Sequence, residues 1–281
     1  MKMQKPIISI IGGTGKFGQF WQKYFESKGL EVISCGRSGP ISPIEAIRSS
    51  DIVIFSLSIR YTKKVIGDLI PLIPEGKLII DFTGIKQEAT DEMRKYVSGE
   101  VVGTHPMFGP NVKSLENQNI AFDPIMPGEK WDFIYNLWKE DKANLIEMSS
   151  KKHDELIGLI QPMTHFVNFI FGHMLKKRGI HPEDLVTIST PVSRMQTFIF
   201  SRFLWQQSGL YADMQICNEV YKKEILKELV DFTKQLEEII QNNDFEAFEK
   251  EFEELKEFIG PKFLEKAMKV STEIDEIVKN G

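Results

Sequence analysis

His105 stands at a point in the sequence where an imidazole could take part in chemistry. In the stretch "VVGTHPMFGP" (101–110) it lies between a β-branched run and the rigid loop that begins at Pro106. Imidazole is the side chain whose ordinary pKa lets it accept a proton near neutral pH. Thr83 ends an earlier apolar run, "IIDFTGIK" (79–86), in the same way. Both residues end predicted strands, so both are candidates for one site.

A glycine-rich turn follows the first apolar run. "IISIIGGTGKFGQF" carries Gly13, Gly15 and Gly18 in G-x-G-x-x-G spacing, after a predicted strand and at the start of a predicted helix. Gly13 permits a tight turn, Gly15 lets the backbone approach a pyrophosphate, and Gly18 lets helix and strand pack closely. A plain βα turn is the alternative interpretation. The predicted cofactor contacts here are Gly13, Thr14, Gly15, Lys16, Phe17 and Gly18, with Ser56 and Leu57 at the end of the third strand.

The residues after the second strand indicate which dinucleotide binds. An NAD site has Asp or Glu there, holding the ribose 2′-hydroxyl. This sequence reads "SCGRSG", with Arg37 and Ser38 instead of an acid. A guanidinium makes paired hydrogen bonds to phosphate oxygens, so the pair predicts NADP, with NAD as the alternative. The competing interpretation makes Arg37 a solvated loop residue.

The elements that position these residues alternate in the first half of the chain and are helical in the second. Predicted strands lie at 7–12, 31–35, 51–57, 77–82, 100–105, 119–123 and 144–149. Apolar strands alternating with helices predict a parallel sheet covered on both faces, whose ligands bind outside the carboxyl ends of the strands. We predict an α/β Rossmann-type domain over 1–149 and an all-α domain over 150–281, with one long helix at 151–179 interrupted by Pro162.

Composition and charge narrow the class of protein. The 281 residues are 42% hydrophobic and 27% charged, as in soluble globular proteins. The net charge of −5 argues against a nucleic-acid partner, and no apolar run is long enough for a membrane span. Cys35 and Cys217 lie far apart, so we predict no metal site and a reducing, cytoplasmic location. The apolar helical half predicts a homodimer.

Four stretches together resemble the prephenate dehydrogenases of tyrosine biosynthesis, above all the dehydrogenase portion of the bifunctional bacterial enzymes. They are "DFTGIK", "GTHPMFGPNV", "KKHDELIGLIQPMTHF" and "SRFLWQQSGLYAD". The chain departs from many members at "GRS", where they carry an acid. We expect neither a fused chorismate mutase before the first strand nor a regulatory domain after the helices.

The resemblance implies a reaction and roles for particular residues. Prephenate gives up a hydride from C4 to the nicotinamide, its C4 hydroxyl proton departs, and loss of CO2 makes the ring aromatic, giving 4-hydroxyphenylpyruvate. His105 is implied to accept the hydrogen bond from the C4 hydroxyl, and Thr83 to contact the same group. The implied substrate-binding residues are Arg202 for a carboxylate, Arg194 as a second candidate, His165 near the substrate side chain, and Gln161 one helical turn before it.

Three alternatives stay open. Within the family, arogenate replaces the side-chain keto group of prephenate by an amino group. Dehydrogenases of β-hydroxyacids share the predicted architecture, but they use a Lys-x-x-x-Asn pair that is not evident after residue 150. A redox sensor that binds the dinucleotide without turnover would need no aligned His105 or Arg202.

Overall fold

The structure, a computed structural model, describes residues 5–37 and 39–279. The predicted contact at Ser38 therefore lies outside the described residues. The chain divides into two compact units: the first runs to Gly158 and includes Ala212–Asn218, and the second comprises Leu159–Tyr211 and the residues from Glu219 onward. The domain limits 1–149 and 150–281 remain a prediction; in the structure the helix Ser150–Gly158 packs within the first unit.

The first unit is built on a seven-stranded sheet. Its strands are β1 (Ile8–Ile11), β2 (Val32–Cys35), β3 (Ile52–Phe55), β4 (Leu78–Asp81), β5 (Glu100–Pro106), β6 (Asn119–Met126) and β7 (Asn144–Glu147). They lie in the order β2-β1-β3-β4-β5-β6-β7, and β1 to β5 are parallel. Because the chain moves outward in both directions from β1, this is the Rossmann-type arrangement that the sequence predicts.

Helices cover both faces of the sheet. Those of the first unit are α1 (Lys16–Ser27), α2 (Pro43–Arg48), α3 (Ile59–Leu69), α4 (Gln87–Met93), α5 (Glu129–Glu140) and α6 (Ser150–Gly158). Aromatic residues of α1 and α5, among them Trp21, Phe25 and Trp138, pack on one face. Residues of α2, α3 and α4 pack on the other. The central strands are buried on both sides, which explains their continuous apolar sequences.

The last two strands depart from the parallel order of the first five. β6 pairs antiparallel with β5, and β7 runs parallel to β6. The segment between β5 and β6 contains no helix, whereas a parallel return needs a crossover connection. Strand direction is therefore set by the connection, which the apolar pattern of a strand does not reveal.

The second unit is helical. It contains α7 (Thr164–Arg178), α8 (Pro182–Ile188), α9 (Pro191–Leu204), α11 (Leu226–Gln241), α12 (Phe245–Ile259) and α13 (Pro261–Lys279), while α10 (Ser208–Cys217) is divided between the units. The predicted helix at 151–179 is interrupted at Pro162 as expected, by a π-helical turn at Leu159–Met163, and it ends at Gly179 with φ of +67°. Among the described residues, no helix is both long and apolar enough to cross a bilayer.

Apolar side chains of the second unit are largely exposed. Among the described residues, its buried apolar side chains are Leu175, Phe200 and Tyr221, together with Pro162. Trp205 is 88% exposed and Phe258 is 87% exposed. The first unit thus holds nearly all of the buried core of the described chain.

Candidate active site

The glycine loop joins β1 to α1, and steric limits fix its residues. Gly12 has φ of +91°, and a Cβ there would collide with the carbonyl oxygen of Ser56. A Cβ on Gly18 would lie 2.6 Å from the Gly12 oxygen. The left-handed residue of the turn is therefore Gly12, not Gly13. The doubled glycine in "IIGGTG" was the available sequence signal for it.

The open side of this loop fits a pyrophosphate. A Cβ on Gly15 would meet only the Gly12 oxygen, at 3.3 Å, so the space before it is free of protein atoms. Gly15 caps α1 without a side chain, and the first turn of the helix carries no acidic residue. Amides at such a helix start attract an anion. Lys16 is exposed at this turn, whereas the ring of Phe17 packs against Phe82 and Phe108.

Arg37 lies at the same edge of the sheet, just after β2. Its guanidinium carbon is 5.3 Å from the centre of the Tyr61 ring on α3, a cation–π contact. Gly36 is required beside it, because a Cβ there would collide with the Thr14 side chain of the glycine loop. The two loops therefore touch, and they present an exposed cation backed by an aromatic ring. Tyr61 was not among the predicted residues, since nothing in the sequence links it to Arg37.

His105 is buried near the carboxyl end of β5, with 7% of its surface exposed. The Nε2 atom lies 3.5 Å from the position that a Cβ on Gly84 would occupy, just after β4. Burial, with smaller effects of His153 and Lys86, holds the pKa of His105 well below its ordinary value of 6.5. The imidazole is therefore neutral at neutral pH and can accept a proton.

Two residues of α6, His153 and Asp154, lie behind His105; from the sequence, His153 is interpreted as structural and Asp154 has no predicted role. The Nε2 atom of His153 lies 2.8 Å from Nδ1 of His105, and Nδ1 of His153 lies 2.8 Å from a carboxylate oxygen of Asp154. All three side chains are buried. His105 and His153 are far apart in sequence, and only the "HD" pair within "KKHDELIGLIQPMTHF" could have pointed to this chain of hydrogen bonds.

A buried ion pair lies next to this group. The ammonium of Lys86 contacts the carboxylate of Asp81, at the end of β4, and the carbonyl oxygen of Thr104. Burial lowers the pKa of Lys86, and the Asp81 carboxylate opposes that change. Asp81 also accepts hydrogen bonds from the amides of Thr83, at 3.0 Å, and Thr104, at 3.2 Å. The pair therefore joins the ends of β4 and β5 on which Thr83 and His105 stand.

Thr83 is buried two residues beyond the point where Asp81 pairs with Gly103 of β5. Its hydroxyl is hydrogen-bonded to that of Thr62 on α3, at 3.3 Å. Thr83 also lines a cavity of about 450 Å³ between α3 and α4. The structure thus places Thr83 and His105 at the ends of neighbouring strands. Ser56 and Leu57 lie next to Gly12 of the glycine loop.

The predicted substrate-binding residues of the second unit lie on two helical segments. Arg194 and Arg202 are both on α9, where Arg202 is exposed and Nε of Arg194 is buried without a partner in the described structure. His165, on α7, stacks on Phe203 with ring centres 5.4 Å apart and meets the edge of Tyr211 at 4.5 Å. Gln161 lies in the π-helical turn that precedes α7.

Comparison with known families gives two matches that cover most of the chain. Residues 29–147 match the model of the prephenate dehydrogenase nucleotide-binding domain. Residues 149–254 match the model of the prephenate dehydrogenase dimerization domain.

Curated relatives agree with these matches. The chain is 32% identical to a probable arogenate/prephenate dehydrogenase of Methanocaldococcus jannaschii, over 92% of its own length and 62% of that protein. It is 27% identical to the T-protein of Haemophilus influenzae, over 90% of its own length and 67% of that protein. The chain therefore spans about two thirds of the length of these relatives.

Solved structures show the same fold. The prephenate dehydrogenase of A. aeolicus, crystallised with hydroxyphenyl propionate and NAD+, superposes with a TM-score of 0.68 at 19% identity, covering 96% of this chain and all of that one. Synechocystis arogenate dehydrogenase gives a TM-score of 0.66 at 14% identity, covering 88% of this chain and 96% of that one. Both confirm the predicted fold: a Rossmann-type sheet followed by helices.

Proposed function

Because the chain belongs to the prephenate dehydrogenase family, we propose that it catalyses the oxidative decarboxylation of prephenate in tyrosine biosynthesis, with a nicotinamide dinucleotide as the oxidant. The observation that carries the proposal is the buried, neutral imidazole of His105, at the edge of the sheet that also holds the glycine loop. A dehydrogenase needs a proton acceptor beside its dinucleotide. This edge of the sheet carries both a proton acceptor and the glycine loop that fits a dinucleotide.

His105 is first the proton acceptor and then the proton donor of the reaction. Its Nε2 accepts the proton of the C4 hydroxyl as a carbonyl forms at C4. The dinucleotide, when bound, supplies the acceptor for the hydride that leaves C4. Loss of CO2 from the ring carboxylate sends its electron pair toward the C4 oxygen, which regains a proton from His105 to give the phenol of 4-hydroxyphenylpyruvate. The lowered pKa keeps His105 ready to accept the first proton.

Other residues hold the substrate. Thr83 contacts the C4 hydroxyl from the end of the neighbouring strand. Arg202 binds a carboxylate of the substrate through its planar fork, with Arg194 as the second candidate. His165 and Gln161 lie near the substrate side chain. Arogenate is the alternative substrate, since the curated relatives include arogenate dehydrogenases.

The dinucleotide is bound by the glycine loop, with NADP preferred over NAD. The amides of Gly13 to Gly18 hold the pyrophosphate, and Ser56 and Leu57 flank it. The Arg37 guanidinium, stacked on Tyr61, holds the 2′-phosphate. Ser38 is assigned to the same group from the sequence alone.

The helical unit joins two copies of the chain. Its match to a dimerization-domain model and its exposed apolar faces support a homodimer.

The test is an absorbance assay at 340 nm with prephenate or arogenate, each with NAD and with NADP. We expect the highest kcat/KM for prephenate with NADP. His105→Asn should reduce kcat by about 10²–10⁴, the usual effect of losing a positioned acid–base group, while the dinucleotide Kd stays unchanged. His173→Asn, at an exposed histidine of α7, is the matched control and should retain kcat.

Three outcomes would contradict parts of this proposal. Absence of turnover with either substrate would leave a dinucleotide-binding sensor as the better interpretation. A preference for NAD would refute the role of Arg37, and a preference for arogenate would replace the substrate. A His105→Asn variant with kcat within a few-fold of the parent would make His105 structural.

A further inference from the structure

We infer that His153 and Asp154 are positioning residues that fix the tautomer of His105, leaving its Nε2 as a bare hydrogen-bond acceptor. The inference deepens the proposed function and rests on it for its kinetic consequence. The tautomer itself is a property of the folded protein without substrate.

The argument begins at Asp154, whose carboxylate can only accept hydrogen bonds. One oxygen accepts from the amide of Lys86 at 2.7 Å, and the other from the amide of Gln87 at 2.8 Å. Both oxygens of Asp154 therefore already act as hydrogen-bond acceptors. The ring nitrogen of His153 that faces it, Nδ1 at 2.8 Å, must therefore carry a hydrogen and donate it.

The next step concerns the pair of histidines. A neutral imidazole carries one hydrogen, so Nε2 of His153 has a lone pair and accepts. Nε2 of His153 lies 2.8 Å from Nδ1 of His105, so this Nδ1 must be the donor. His105 is left with a lone pair on Nε2, the nitrogen beside Gly84. The direction of each hydrogen bond follows from the one before it.

The surroundings oppose the charged alternative. A second proton on this pair would place a positive charge in an interior that already holds the buried ammonium of Lys86. The described charged groups in contact with it or with its partners are Asp81 at the end of β4, Lys86 at the start of α4 and Asp154 within α6. The Asp81 carboxylate is paired with Lys86. The carboxylate that contacts the two histidines is Asp154, and its contact is with His153 rather than with His105.

This arrangement matters because only one tautomer of His105 can perform the proposed step. With its hydrogen on Nε2, the imidazole would present a donor to the C4 hydroxyl and could not take its proton. Reversing the tautomer of a catalytic histidine can reduce turnover severely without moving the residue; in the triad of the serine proteases the effect is about 10⁴-fold.

Nitrogen-15 NMR of the imidazoles tests the inference directly. The chain has five histidines, so the signals can be assigned by comparison with His105→Asn. In the substrate-free parent protein at neutral pH, His105 should show a protonated Nδ1 and an unprotonated Nε2. A protonated Nε2 on His105 would overturn the inference, whatever substrate the protein proves to use.

Two substitutions at His153 separate positioning from packing. In His153→Asn the side-chain amide matches the place of Nδ1, so the bond to Asp154 can persist while the acceptor for His105 is lost. In His153→Gln the amide oxygen matches the place of Nε2 and restores that acceptor. We expect kcat to fall by about 10–100-fold in the Asn variant, as for other residues that orient a ligand histidine.

The Gln variant should recover part of this loss, and KM and the dinucleotide Kd should stay within about threefold of the parent values in both. Equal losses of kcat in the two variants, accompanied by equal losses of thermal stability, would mean that His153 only packs the interior. Full activity in the Asn variant would overturn the inference as well.

Discussion

At the residue scale, the burial of His105 sets the pH range that we expect for the proposed reaction. An unperturbed histidine has a pKa of about 6.5, and from the sequence alone we expect activity to rise there. In the structure, burial and the nearby His153 and Lys86 lower this pKa. A lowered pKa means that the neutral, proton-accepting form persists to more acidic pH.

The expected result is a pH profile of kcat/KM for prephenate that rises with pH and reaches its plateau before pH 6.5. Stopped-flow mixing into buffers from mildly acidic to neutral pH measures it while limiting acid damage. A midpoint above 6.5 would show that another group controls the proton transfer, and it would contradict the burial of His105 in the working enzyme.

The sequence predicts where a candidate residue lies in the fold more readily than which distant residues it contacts. His105, Thr83 and the glycines are placed by their positions at strand ends, which follow from apolar runs. His153 and Tyr61 are placed by the packing of α6 and α3 against the sheet, and no local pattern encodes these contacts. The partner of a side chain becomes visible only when distant segments fold together.

At the scale of elements, two glycines of the G-x-G-x-x-G motif, Gly15 and Gly18, should respond differently to the same substitution. A Cβ on Gly18 would meet the backbone of Gly12 and Gly13 at 2.6 Å, so α1 and β1 would have to separate. A Cβ on Gly15 would meet only one oxygen, at 3.3 Å, and Gly15 has an ordinary φ of −72°. It would instead occupy the space proposed for the pyrophosphate.

We therefore expect Gly18→Ala to lower Tm by several degrees, since a clash with backbone typically costs about 1–3 kcal/mol. Gly15→Ala should keep the parent Tm and raise the dinucleotide Kd by about tenfold or more. Thermal melting and fluorescence titration measure the two effects. If Gly15→Ala binds the dinucleotide as the parent does, the pyrophosphate lies elsewhere.

Elements themselves were predictable where their signals are local. The seven strands follow from apolar runs, but the reversed direction of β6 and β7 depends on the length of a connection. The short helix α2 has a local signal, because Ser42 and Glu45 form a capping box around Pro43. A helix of six residues is too short to show a periodic apolar pattern, so the capping box is the sequence signal for α2.

At the scale of the whole molecule, the distribution of apolar surface indicates how the protein exists in solution. Helices α11 and α12, both described over their full length, contain no buried residue, yet they carry Phe232, Phe245, Phe248, Phe252 and Phe258. Large apolar side chains exposed in number on one element often mark a surface that a partner covers. These exposed faces are consistent with the proposed homodimer.

If a second copy covers these faces, assembly and stability must be linked. A partner that binds only the folded chain stabilises it by mass action, so the melting temperature rises with protein concentration. We expect light scattering to give twice the chain mass of 32.3 kDa, and Tm to increase over a hundredfold range of concentration. The first unit, with its own buried core, should show the smaller dependence when followed by the fluorescence of Trp21 and Trp138, both fully buried there. A single-chain mass with a constant Tm would show that the helices are stable unpaired, and it would refute the proposed homodimer.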